Sequence, residues 1–139
     1  MTLRRRTFQV VVWTGIVLNW AFAAMALADP RHLTATLDLG VSESTVWLFN
    51  YSVLLALLSC FYIPAAADPF RYRVNAWLLI AARLIPAATF FVGVSNGFLA
   101  KGFVKLGVAD SLIGSGELVL LVWLLRDARV QAARTPVPA

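Results

Sequence analysis

Long apolar runs alternate with short charged segments along this chain, and that alternation alone predicts its elements. Four runs carry few charges: 8–27, 46–66, 75–94 and 112–125. The first three each have the roughly 20 residues needed to cross about 30 Å of hydrocarbon at about 1.5 Å per residue. The fourth is short by that measure and is extended to 108–126, with Arg126 snorkelling to the headgroups. The expected fold is an all-α integral membrane protein, an antiparallel bundle of four transmembrane helices in a single membrane domain, with 127–139 as a tail. Composition agrees. Of the 139 residues, 60% are hydrophobic and the mean hydropathy is +0.78, against roughly 45–50% apolar usage in soluble domains.

The first run has a rival reading. "MTLRRRTF", an apolar stretch and "ALA" before Asp29 are the ingredients of a secretory signal peptide. The apolar run is longer than the roughly 7–15 residues of a signal core, so it is kept as a helix.

The charges set the topology. Arg4, Arg5 and Arg6 precede the first run, Arg71 and Arg73 lie between the second and third, and Arg126, Arg129 and Arg134 follow the fourth. The opposite side holds only Arg31, Lys101 and Lys105. The positive-inside rule then puts both termini in the cytoplasm. Trp13, Trp77 and Trp123 fall near the inferred inner boundary and Trp47 at the outer one, as interfacial indoles do. The net charge of +5 is spread over flanking segments. It makes no basic face of the kind that reads nucleic acid, so no such partner is expected.

Three connections are predicted. In "FYIPAAADPFRYRVNAW", Pro64 and Pro69 should stop the incoming helix, Asp68 before Pro69 signals a turn, and Arg71 and Arg73 hold it at the cytoplasmic face. Read functionally, Asp68, Arg71, Tyr72 and Arg73 would be a docking turn for a partner. "ADPRHLTATLDLG" alternates through Thr34 and Thr36, which leaves strand and turn both open. "NGFLAKGFVKLGVADS" suits a short surface amphipathic helix or hairpin.

A pattern recurs 67 residues apart. Leu39-Gly40-Val41-Ser42-Glu43-Ser44 precedes the second run and Leu106-Gly107-Val108-Ala109-Asp110-Ser111 the fourth, and the same offset superposes Arg4 on Arg71 and Arg6 on Arg73. The halves therefore read as duplicated hairpins. Each turn would place Gly in a tight bend, Ser44 or Ser111 as a helix cap, and Glu43 or Asp110 at the positive end of the helix dipole.

Polar groups inside the runs are costly in lipid and mark the places to examine. They are Asn19, Asn50, Arg83 and Glu117, with Ser52, Ser59, Ser95 and Asn96 nearby. Arg83 and Glu117 each lie about 12 Å in from the cytoplasmic side at helical rise, on neighbouring antiparallel helices, so they are predicted to pair. Such a pair either fixes helix register or forms a ligand site, with Asn19 and Asn50 adding amide contacts. At the repeat offset Asn50 matches Glu117, whereas Arg83 matches Ile16, so only one half is polarised.

Catalytic chemistry is not expected of this chain by itself. The sole histidine, His32, sits in an outer segment beside Arg31, so paired imidazole ligands for haem or metal cannot form. No cofactor is expected to be held by protein ligands, and no metal. The sole cysteine, Cys60, reads as a small buried hydrophobe. Gly93-Val94-Ser95-Asn96-Gly97 fits the Gly-x-Ser-x-Gly pattern of hydrolases, but it closes a membrane helix and is read as a helix stop.

The short chain, its four spans and its tight connections, "FYIPAAADPFRYRVNAW" among them, resemble the DoxX-like group of small bacterial membrane proteins. The resemblance is one of layout and carries no active-site residue. It implies a multi-pass protein of the bacterial inner membrane associated with quinone-dependent electron transfer. The first expectation is thus a non-catalytic subunit or assembly factor beside a larger membrane complex, with Ala21, Ala24, Gly114 and Gly116 allowing close helix approach to a partner or a second copy. The alternative is an accessory protein that binds quinone or lipid at Arg83 and Glu117. A weaker one is a component of a proton or ion pathway.

Overall fold

The computed structural model describes residues 3–40 and 46–134. Within them every regular element is helical: α1 (Leu3–Ala28), α2 (Pro30–Leu37), α3 (Val46–Ala67), α4 (Arg73–Ser95) and α5 (Phe103–Arg134). All but α2 are long and apolar enough to cross a membrane. Only 22–28% of each apolar window is buried within the chain, so most of the apolar surface faces outward. A water-soluble bundle would bury that surface, whereas lipid accepts it. The chain is a multi-pass helical membrane protein.

Partners along α1 and α3 run in opposite directions. Gln9 donates to the carbonyl of Ala67 at 2.9 Å, Asn19 to Ser59 Oγ at 2.9 Å and Trp20 to the carbonyl of Ala56 at 3.4 Å. Around the bundle, α1 packs on α3 and α5, and α4 closes the ring against both. The half near the termini is packed around Phe8, Val12, Ile16, Tyr62, Leu79 and Leu121, with a groove of about 430 Å³ on its flank between α3 and α4. At that end Arg4 pairs with Asp127 at 2.6 Å and lies over the Trp123 ring. Arg5 approaches Asp68 at 3.5 Å. Trp13, Trp77, Trp123 and Trp47 all lie on the outer surface of the bundle.

Several expectations are corrected here. Pro64 does not stop α3, which continues to Ala67. It stands in the last turns, where losing one N–H is cheap, and the turn forms where Asp68 accepts from the backbone of Phe70 and Arg71. Residues 30–37 are neither strand nor turn but helix α2, with Asp29 accepting from His32 N at 2.9 Å and Pro30 in the first turn. This is the usual N-cap and proline start. His32 is thus on an exposed helix instead of a loop. Cys60 is exposed on the outer face of α3.

The largest correction concerns the fourth span. Helix α5 begins at Phe103, so 106–111 is helical and forms no turn, and Ser111 and Asp110 cap nothing. The expected tail from 127 is helical as far as Arg134. Leu39 and Gly40 lie outside helices, with Gly40 at φ +86°, whereas their repeat counterparts Leu106 and Gly107 are inside α5. The two copies of the pattern therefore differ in structure. The proposed caps Ser44 and Glu43 lie outside the described residues.

The Gly93–Gly97 segment does end its helix. Phe98 N bonds the Gly93 carbonyl at 2.8 Å and Gly97 N that of Val94 at 3.1 Å, with Gly97 at φ +74°. This is a Schellman stop. The link that follows turns on Gly102, whose N–H reaches the Asp38 carbonyl at 3.1 Å. A Cβ there would fall on the backbone of Leu37 and Asp38. Gly102→Ala is accordingly expected to cost about 1–3 kcal/mol as an overpacked site, read from denaturant unfolding in micelles. A cost below the assay error would mean that the link is free to move away from α2.

Candidate functional site

The buried face of α5 repeats at alternating steps of three and four residues: Gly107, Asp110, Gly114, Glu117, Leu121 and Leu124. That spacing is a seam of coiled-coil type, and two of its six positions are acidic. The glycines let α4 come close. A Cβ on Gly107 would lie 3.1 Å from the Phe91 ring, and one on Gly114 would lie 3.1 Å from Arg83 Cβ. Arg83 therefore stands opposite Gly114, with Asp110 one turn to one side and Glu117 one turn to the other.

The guanidinium joins both. Arg83 Nη1 donates to Asp110 Oδ1 at 3.0 Å, and Nε lies 3.3 Å from Glu117 Oε2. Arg83 is 3% exposed and Glu117 0%. The second contact is an ion pair by distance without the alignment of a hydrogen bond. Arg83 Nε and Nη2 and both Glu117 oxygens have no hydrogen-bond partner among the described residues. Nη2 points across the bundle axis to α1. There Gly15 leaves the space it occupies, since a Cβ would overlap that nitrogen.

The predicted Arg83–Glu117 pair is thus present, and the structure adds Asp110 and Gly15 to it. Asn19 lies at the same level, its amide nitrogen given to Ser59. Asn50 does not join. It is exposed on the outer side of α3, and its neighbour Tyr51 faces inward instead. Ser52 and Ser59 are buried and return their hydroxyls to the carbonyls of Leu48 and Leu55, both at 2.7 Å. They are satisfied within α3.

Toward the end of the bundle away from the termini, the cluster borders a cleft of about 210 Å³, walled by Arg83, Asp110, Asn19, Tyr51, Phe22 and Ala109 among others. A second chamber of about 230 Å³ shares Phe22, Tyr51 and Leu106 with it and is lined by apolar and aromatic side chains, including Trp47, Phe90 and Phe103. The Phe22 and Tyr51 rings meet edge to face at 6.1 Å. One end of this space is charged and the other apolar. The Asp68, Arg71, Tyr72 and Arg73 turn is separate from it, at the terminal end, with Arg71 over the Tyr72 ring at 5.5 Å.

Among the described residues no group of three or more His, Cys, Asp and Glu is arranged to hold a metal ion. Comparison with protein-family models, with curated proteins and with solved structures finds no match to this chain.

Proposed function

We propose that this chain binds an amphiphilic small molecule, a quinone-like or lipid-like compound, within the membrane. The polar head would lie against Arg83 and Asp110 and the apolar body among Phe22, Tyr51 and the aromatic residues beyond. In this reading it is a multi-pass protein of the bacterial inner membrane with both termini cytoplasmic, serving as a non-catalytic accessory component of a larger complex, as the DoxX-like layout implies.

The supporting observation is that buried Arg83 and part-exposed Asp110 form a charged wall of a mostly apolar cleft. Ion pairs that only fix register need no adjoining space. Each chamber alone falls short of the roughly 300–1,000 Å³ of small-molecule sites, but their shared walls suit a ligand extended through both. The packed half near the termini argues against a polar pathway across the whole bilayer.

Native mass measurement after gentle solubilisation tests the proposal. Wild-type protein is expected to carry a bound small molecule. Ala109→Trp, at an exposed position on the cleft wall, is expected to lose it while remaining folded. The same bound species in both proteins would reject the cleft as the site. The same spectrum reports any larger partner.

A further inference from the structure

We propose that the head of the ligand is an organic cation, an ammonium group on an apolar or aromatic body. This rests on the cleft reading above and specifies its chemistry.

The argument begins from charge. Two carboxyl groups, Asp110 and Glu117, contact one guanidinium, so with both ionised the cluster carries a formal charge of −1. Among the described residues no further cation pairs with it. The titratable groups that face it are Tyr51 and Tyr62 from α3, with Arg83 from α4 and the two acids from α5. From α1 it meets Gly15 and Asn19, which are uncharged. An uncompensated charge in hydrocarbon is expensive. The cluster is therefore neutral in two states, with one proton on it or with one monovalent cation beside it.

Geometry says where that cation would stand. Glu117 is sealed at 0% exposure, lies against Nε and does not line the cleft. The Asp110 side chain is 25% exposed and forms part of the cleft wall. Arg83 is shared between the two acids, hydrogen-bonded to Asp110 and in contact with Glu117 by distance only, and of the two carboxyl groups Asp110 is the one that meets the cleft. The same cleft is lined by Asn19, whose amide oxygen is not used by the Ser59 bond, and by Phe22 and Tyr51. Carboxylate, amide oxygen and aromatic faces all favour a cation. An anionic head would add to the excess of carboxyl groups over guanidinium, and a neutral carbonyl would supply no charge in place of the proton. Entry of the ammonium ion then displaces the proton to solvent, one proton for one cation, with no other bond made or broken.

The test uses the full chain in nanodiscs with radiolabelled benzyltrimethylammonium as probe, and 3-phenylpropanol and benzoate as neutral and anionic competitors, with empty nanodiscs subtracted. Saturable cation binding is expected, weakened at least tenfold by Asp110→Asn, little affected by benzoate, and accompanied by release of up to one proton per cation in weak buffer. Thermal unfolding confirms that Asp110→Asn is folded, and Ala109→Trp provides a second variant that blocks the space and keeps the charges. Cation binding unchanged in Asp110→Asn, or bound without proton release, overturns the proposal. Saturable binding of phenylpropanol or of a short-chain ubiquinone, lost in Ala109→Trp, with no binding of the cation, overturns the cationic head but leaves the cleft reading standing. If none of these probes binds saturably, both fall.

Discussion

Arg83→Leu is expected to destabilise the folded protein by about 3–5 kcal/mol, the cost of removing one partner from a buried ion pair. Glu117 is fully enclosed and, among the described residues, has no oppositely charged neighbour within ion-pair distance other than Arg83. Without the guanidinium it must either remain an isolated carboxylate or take up a proton, and both routes cost free energy. Asp110 suffers less because it borders the cleft. The double variant Arg83→Leu with Glu117→Leu removes both charges and supplies apolar volume, so it is expected to recover most of the loss. Unfolding of reconstituted protein by a denaturing detergent measures all three. A single variant within about 1 kcal/mol of wild type would mean that the cluster holds nothing in place, and its function as a site would need another basis.

The same residues show how far the chain could be read before its structure. The four spans were legible because lipid selects on length and apolarity, which are local properties of sequence. Arg83 with Glu117 was legible because intramembrane charges are few and depth along a helix follows from rise per residue. Asp110 was misplaced for a single reason. The repeated Leu-Gly-Val-x-acid-Ser pattern reads as a turn with Asp110 at the capping end of the fourth helix, although the span itself extends to residue 108, whereas the helix begins at Phe103 and carries Asp110 in its interior. An available signal pointed the other way: Asp110 and Glu117 are seven apart, as are Gly107 and Gly114, and that spacing places both pairs on one face of a continuous helix. Helix α2 was missed although Asp29 and Pro30 form a start signal, because Thr34 and Thr36 imitate strand alternation. Asn50 and Tyr51 are adjacent in an apolar span, and only packing decides which faces inward. Gly15 could not be found at all, since its importance lies in what occupies the space it leaves.

That space supports the second large effect. Gly15→Val is expected to destabilise the protein by more than the roughly 1–3 kcal/mol of ordinary overpacking, approaching the loss from Arg83→Leu. A Cβ at this position would overlap Nη2 and come within 3.1 Å of Cζ. The far end of an arginine can usually swing aside, but this one is tied to Asp110 and Glu117 on the opposite side of the axis. To make room it must leave its carboxylates, or α1 must move from the packed ring. The equivalent change at Gly116, where a Cβ would meet nothing within 4 Å, is expected to stay within about 0.5 kcal/mol. The decisive comparison is Gly15→Ala made in wild type and again in Arg83→Leu. With the guanidinium gone the methyl group has space, so the two losses should combine to clearly less than their sum. Strict additivity would assign Gly15 to the close approach of helices alone and would remove it from the charged site.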